Sequence, residues 1–365
     1  MKVKTRELRN QSNKGYDVYD ISTGQGLTVS VLTLGAAIQR VVLEDKKGNL
    51  TDLALGFPNA DPYETGLCYA GATLAPNAGR IRNALLPVGP DLHRLTVNDH
   101  GHQLHGGPHN LSLAVWKVES VLCQIDSVCI TLSAEQSHGL DGYPGHRKYY
   151  TTYTLEDTNW LTISLNAVTD RPTYLNMSNH TYWNLAGAGS DSALTQDLHI
   201  PADNVCINDE MHLPADIIPV NGTAFDFRRI RQPCNAIRSA KDPVSIRQLK
   251  TGNGYNHAYL LNKNDPYRKL RQVKHPANLK KACVLSNPRT GHTVKMFTDA
   301  PALVMYSGGF LAEGTILHQN AISSPGCAIA LEAQDIPDVM HLLPEACHLS
   351  TPDHPFSRTI RYHIT

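Results

Sequence analysis

Leu161-Thr162-Ile163-Ser164-Leu165-Asn166-Ala167 alternates apolar and polar residues without a break. A period of two marks a strand with one face on a core and the other toward water, whereas a helix would repeat every three to four residues. The same alternation runs through Val128, Ile130, Leu132 and Ala134, with Thr131 and Ser133 between them. It returns near the end, where Ile360, Tyr362 and Ile364 alternate with Thr359, Arg361 and His363. Residues 27–34 begin in this way too, and residues 41–55 hold two apolar-rich runs around Lys46-Lys47-Gly48-Asn49, which reads as a hairpin turn. Helical signal is confined to residues 244–249, and 22 Pro with 26 Gly cut nearly everything else into short segments. Short strands joined by long polar loops predict an all-β antiparallel sandwich or barrel.

Composition narrows the partners. At 365 residues the chain could form two domains, yet large β architectures of this length also occur as one. Lys+Arg and Asp+Glu are both 33, so there is no global basic field to attract nucleic acid or an anionic membrane, and a small or neutral partner is expected. The eight cysteines lie far apart with no C-x-x-C pair, which argues against a zinc or redox cluster. No stretch approaches the roughly 20 apolar residues of a membrane span, and the charged first ten residues lack the apolar core of a secretion signal. These features predict a soluble protein of the reducing cytoplasm. The Lys-rich residues 263–281 read as a solvated insertion between strands.

Chemistry is suggested first by residues 175–185, Leu-Asn-Met-Ser-Asn-His-Thr-Tyr-Trp-Asn-Leu, centred on His180. Polar side chains this dense among apolar ones are costly to bury unless each finds a partner, so the run reads as the wall of a polar site. A lone histidine in such a place is more often a satisfied core residue, and other clusters must decide. Four exist: Arg80 in Ala75-Pro76-Asn77-Ala78-Gly79-Arg80-Ile81, His105 before Gly106-Gly107, Asn256-His257 after Gly254-Tyr255, and Glu332 with Gln334 in Leu331-Glu332-Ala333-Gln334-Asp335-Ile336-Pro337. The glycines after His105 would let backbone come close to a ligand. Period two places Glu332 and Gln334 on one face of a strand whose other face is apolar. Singly, each has an ordinary explanation: an ion-pair partner for Arg80, a turn at His105, a surface residue at His257, an exposed strand position for Glu332.

In their order along the chain these segments resemble the aldose 1-epimerase (galactose mutarotase) family. Gly79-Arg80-Ile81, Leu104-His105-Gly106-Gly107, the run from Asn176 to Leu185, Gly254-Tyr255-Asn256-His257 and the Leu331 to Pro337 segment follow the family's N/G-R-I, L-H-G-G, N-L-T-N-H-x-Y-F-N-L, G-Y-D-H and L-E-x-Q-x-x-P patterns. The resemblance covers nearly the whole chain. It implies a large single-domain antiparallel β-sandwich over residues 1–365, a monomer or homodimer, with a sugar cleft across one sheet and neither cofactor nor metal. It assigns His180 as general acid toward the ring oxygen of a hexose and Glu332 as general base toward the anomeric hydroxyl. His105, Arg80, Asn256, Asn179 and Gln334 become substrate-binding positions.

The pattern breaks at the sugar-binding periphery. The family's G-Y-D-H carboxylate is Asn256 here, a neutral amide that donates as well as accepts. Ala75-Pro76 replaces a family G-R, Leu111-Ser112-Leu113 stands where an aromatic-Asp-Lys is usual, and Gly309 occupies a family Asn. Chemistry is therefore better defined than substrate. Three alternatives follow: an epimerase for a modified sugar, a non-catalytic sugar-binding relative, and a His-rich metal hydrolase, the last weakened by the lack of ligand spacing among His105, His180 and His257.

Overall fold

The computed structural model describes residues 1–44, 48–190, 192–261 and 279–365. The alternation at 161–167 lies in the strand Trp160–Thr169, where Leu161, Ile163, Leu165 and Ala167 are buried and their neighbours are not. This strand sits near the middle of an eight-stranded antiparallel sheet, between Arg147–Glu156 and Phe356–Ile364. A five-stranded meander covers residues 2–52, and a six-stranded sheet carries, in spatial order, Tyr182–Trp183, Ile329–Gln334, Ala302–Tyr306, Asn256–Leu260, Asn204–Asn208 and Pro214–Pro219. The expected all-β sandwich class is what the chain adopts. Ala37–Glu44 and Leu50–Asp52 pair antiparallel as the hairpin reading requires, although Lys46 and Lys47 lie outside the described residues. So do 263–278 of the Lys-rich section; Lys280 and Lys281 open the strand Lys280–Ser286.

All three sheets contribute to one apolar core: Val29 and Val31 from the first, Ile163 and Tyr362 from the eight-stranded sheet, Met305 and Leu331 from the six-stranded one. Each such side chain contributes on the order of 1.5–3 kcal/mol by leaving water. The strand Ile329–Gln334 is buried at every position, but its two faces differ: Ile329, Leu331 and Ala333 enter the core, and Glu332 and Gln334 point the other way. The helical signal at 244–249 is the helix Pro243–Thr251, started by Asp242, whose side chain accepts the Ser245 amide, and by proline at the first helical position.

Gly71 joins the first sheet to residues 178–180. Its carbonyl accepts from Ile38 and from Asn179 Nδ2, and its N–H donates to the His180 carbonyl. With φ at +67° and room for a Cβ only 1.9 Å from the Ile38 carbonyl oxygen, no larger residue fits. Gly71→Ala is expected to lower unfolding free energy by at least about 1–3 kcal/mol from the left-handed backbone alone, with the backbone clash added; urea denaturation checks this, and an unchanged midpoint would contradict the close approach.

Candidate active site

The polar run at 175–185 folds as two very short strands, Ser178–Asn179 against Thr73–Leu74 and Tyr182–Trp183 against residues 329–330, with His180 between them. Almost every polar side chain in it is engaged. Asn176 Nδ2 donates to the Ala78 carbonyl, Ser178 Oγ to the Ala333 carbonyl, Thr181 Oγ1 to Asn179 Oδ1 and Asn184 Nδ2 to the Cys327 carbonyl. His180 Nδ1 and Trp183 Nε1 are buried without a hydrogen-bond partner among the described residues. His180 is thus not the satisfied core histidine of the ordinary explanation.

His180 Nε2 faces Glu332 Oε1 at 3.6 Å, both side chains about 95 % hidden from water. The Ser178–Ala333 bond stitches the histidine segment directly to the glutamate's strand. Burial alone pushes the Glu332 carboxyl up to about 8, since among the described residues no hydrogen-bond donor reaches it. Burial likewise pushes the His180 imidazole down to about 4. Both shifts disfavour charge, so the pair carries one proton across the neutral range and holds it on Glu332 in the empty cleft. Tyr182 and Tyr69 flank the imidazole, ring centroids 4.8 and 6.2 Å away.

Around the pair opens a cleft of about 500 Å³ lined by His105, Arg80, Asn256 and Gln334. His105 Nδ1 accepts the Gly79 N–H at 3.1 Å, which assigns the proton to Nε2. Burial, with the neighbouring His180 and Arg80, holds its pKa well below the usual histidine value, so it is a neutral donor. Its ring lies 5.7 Å from His180 and 4.6 Å from Tyr69. His105 and Tyr69 both adopt left-handed backbone, at φ 49° and 54°. Such positions cost on the order of 1–3 kcal/mol each and gather at binding sites. The glycines after His105 serve packing instead of ligand approach: a Cβ on Gly106 would meet Pro76 and one on Gly107 would meet Asp141.

Arg80 pairs with Leu104, beside His105, in the short ladder of Arg80–Ile81 against Gln103–Leu104, and Asp99 Oδ2 accepts from its Nε at 2.6 Å. That bond fixes the guanidinium and leaves its terminal nitrogens without protein partners among the described residues. Asn256 shows its carboxamide to the cleft with no side-chain hydrogen bond among the described residues, while its carbonyl takes Asn208 Nδ2 at 2.7 Å. His257, the next residue, must face the opposite side of the strand; it is buried against Gln248 Oε1 at 3.0 Å and held down at about 3, so it is neither a surface residue nor part of the cleft. Gln334 Nε2 donates to the Asp335 carbonyl, and its buried Oε1 has no hydrogen-bond partner among the described residues.

Asn179 departs from its expected place. It is fully buried behind His180, its amide donating to Gly71 and its oxygen accepting from Thr181 twice, so every polar atom is committed to backbone and loop and none reaches the cleft. Tyr69, Tyr182, Tyr306, Asp99 and Asn208 enter the site without having been signalled: residues 97–102 look like any polar turn, and the tyrosines look like core. A larger groove of about 910 Å³, walled by Arg228, Arg229, Arg231 and Lys241, contains none of the site residues. Among the described residues no three His, Cys, Asp or Glu are grouped to hold a metal ion.

An antiparallel sandwich with a desolvated carboxyl–imidazole pair under a cleft lined by polar side chains is an arrangement able to exchange protons with a small polar molecule. The chain belongs to the aldose 1-epimerase family, whose model matches residues 17–363, and is an isomerase. It is 31% identical to aldose 1-epimerase of Haemophilus influenzae over 350 residues, covering 93% of this chain and 89% of that one. It is 29% identical to galactose mutarotase of Mus musculus over 314 residues, 86% and 83% respectively. The crystal structure of galactose 1-epimerase from Lactobacillus acidophilus superposes with a TM-score of 0.83 at 28% identity, covering 100% of this chain and 99% of that chain.

Carboxyl-selective ¹³C NMR of glutamate-labelled protein should show one resonance titrating near pH 8, absent from Glu332→Gln. All glutamates titrating in the ordinary acid range would contradict the dry site.

Proposed function

We propose that the chain is a mutarotase that interconverts the α and β anomers of a neutral hexose such as galactose or glucose, with His180 and Glu332 as its proton-transfer pair. The observation that carries this reading is the 3.6 Å approach of two oppositely perturbed groups whose side chains are both almost fully buried at the floor of the cleft. In the ionic form of the pair, the Glu332 carboxylate takes the proton from the anomeric hydroxyl. The C1–O bond to the hydroxyl oxygen becomes a carbonyl, the C1–ring-oxygen bond breaks, and His180 Nε2 delivers its proton to the departing ring oxygen. The pair is left as neutral imidazole and protonated carboxyl, with no net proton gained or lost. Rotation about C1–C2 presents the other carbonyl face, and the same two groups act in reverse as the ring closes.

The open-chain step leaves the pair in the form that burial favours, and the cyclic sugar needs the ionic form. A donor from His105 Nε2 and the sugar's own hydroxyls replace, in the bound state, the solvation that the charged form lacks. Arg80, already balanced by Asp99, binds hydroxyls without making the cleft strongly cationic, which suits a neutral sugar over a phosphorylated one. Asn256 adds a neutral amide opposite. We place the protein in the cytoplasm, as its eight free cysteines support.

Polarimetry of freshly dissolved α-galactose and α-glucose tests the proposal. Wild-type protein should speed the relaxation, and Glu332→Gln or His180→Asn should each lose on the order of 100- to 10,000-fold, the span of positioned proton transfer. Sugar binding without acceleration by the wild type would instead establish a non-catalytic sugar binder, and full activity in both variants would overturn the pair.

A further inference from the structure

The strand Phe356–Ile364 is buried on alternate residues, and the first member of its inward stripe is a cation: Arg358, followed by Ile360, Tyr362 and Ile364. A guanidinium that is only 5% exposed must be compensated by several acceptors. Its acceptors are not scattered. Nη1 donates to Asn176 Oδ1 at 2.7 Å and to the Met177 carbonyl at 2.9 Å, and Nη2 donates to Asp335 Oδ1 at 2.6 Å. Met177 stands three residues before His180, and Asp335 three residues after Glu332.

Asn176 is the node where these segments meet. Its Oδ1 also accepts the Asp335 N–H at 2.8 Å, its Nδ2 donates to the Ala78 carbonyl at 3.1 Å, and its backbone exchanges hydrogen bonds with Pro76 and Ala78. Tyr174 adds its hydroxyl to the second Asp335 oxygen at 3.4 Å. Resting on the mutarotase reading, we propose that Arg358 is a positioning residue that sets the distance between His180 and Glu332. It clamps the segment leading into the acid and the segment leaving the base onto one planar fork. A lysine has a single ammonium and cannot span Asn176, Met177 and Asp335 with the geometry of a guanidinium.

Two of the sugar-binding residues have other supports. Arg80 is fixed by Asp99, and His105 by the Gly79 N–H. Loss of the clamp therefore acts first on proton transfer and reaches binding only through Gln334, whose Nε2 donates to the Asp335 carbonyl. Arg361 supplies a control on the same strand but its other face, where it pairs with Glu156 at 2.7 Å and lies over the Trp160 ring, away from the site.

Steady-state polarimetry with thermal unfolding of wild type, Arg358→Gln, Arg358→Lys and Arg361→Gln tests this. Both Arg358 variants should lose kcat on the order of 10- to 100-fold, the effect of misplacing reacting groups by about 1 Å, with KM changed by much less than kcat. Arg361→Gln should keep kcat even if its melting temperature falls as far. If Arg358→Gln does not fold, Arg358→Lys decides on the same criterion. A folded Arg358 variant with kcat within about twofold of wild type, or a matching kcat loss in Arg361→Gln, overturns the clamp. Wild-type protein that does not accelerate mutarotation removes the reading beneath it.

Discussion

Burial of a carboxyl and an imidazole held 3.6 Å apart is the constraint on which the site depends. In water the two would carry opposite charges near neutrality and their proton would have a fixed home. Buried together, the charged form of each is disfavoured, so in the empty cleft the proton rests on the carboxyl, and the polar groups of a bound substrate must stabilise the state that carries it on nitrogen. Glu332 is dry because a strand with its other face in the main core presents it; His180 is dry because three tyrosines and His105 surround it.

Holding that pair requires the polar groups around it to be satisfied without touching it. Asn176, Ser178, Asn179, Thr181 and Asn184 answer backbone carbonyls, amides and one another, and so lock a segment with little regular structure. Gly71 lets the first sheet press against that segment, and Ser178 ties it to the glutamate's strand. Packing and polar satisfaction thus act on the same few residues, and a change there alters stability and geometry together.

The fold was legible because the strands that build the eight-stranded sheet alternate cleanly; Leu161, Ile163, Leu165 and Ala167 all lie where a period of two puts them. Glu332 was legible for the same reason, as the polar face of an otherwise apolar strand. Asn179 is misplaced by sequence because a polar residue beside His180 looks the same whether it faces the cleft or the backbone. His257 reads in sequence as a surface residue, yet alternation from Asn256 sends it into the core. Asp99 carried no signal at all, since pairing with Arg80 arises only when the turn at 97–102 folds over the ladder. Arg358 was within reach: extending the closing strand's alternation two residues back from Ile360 puts a cation on the buried face.

The pH dependence of kcat/KM for mutarotation, corrected for the uncatalysed rate, tests the shared proton most directly. One proton on the pair predicts a plateau through neutrality that falls on the acid side as His180 and Glu332 both become protonated, toward about 4, and on the alkaline side as the last proton leaves, toward about 8. A profile that instead keeps rising above pH 8, or that follows a single group with an ordinary histidine pKa near 6.5, would contradict it.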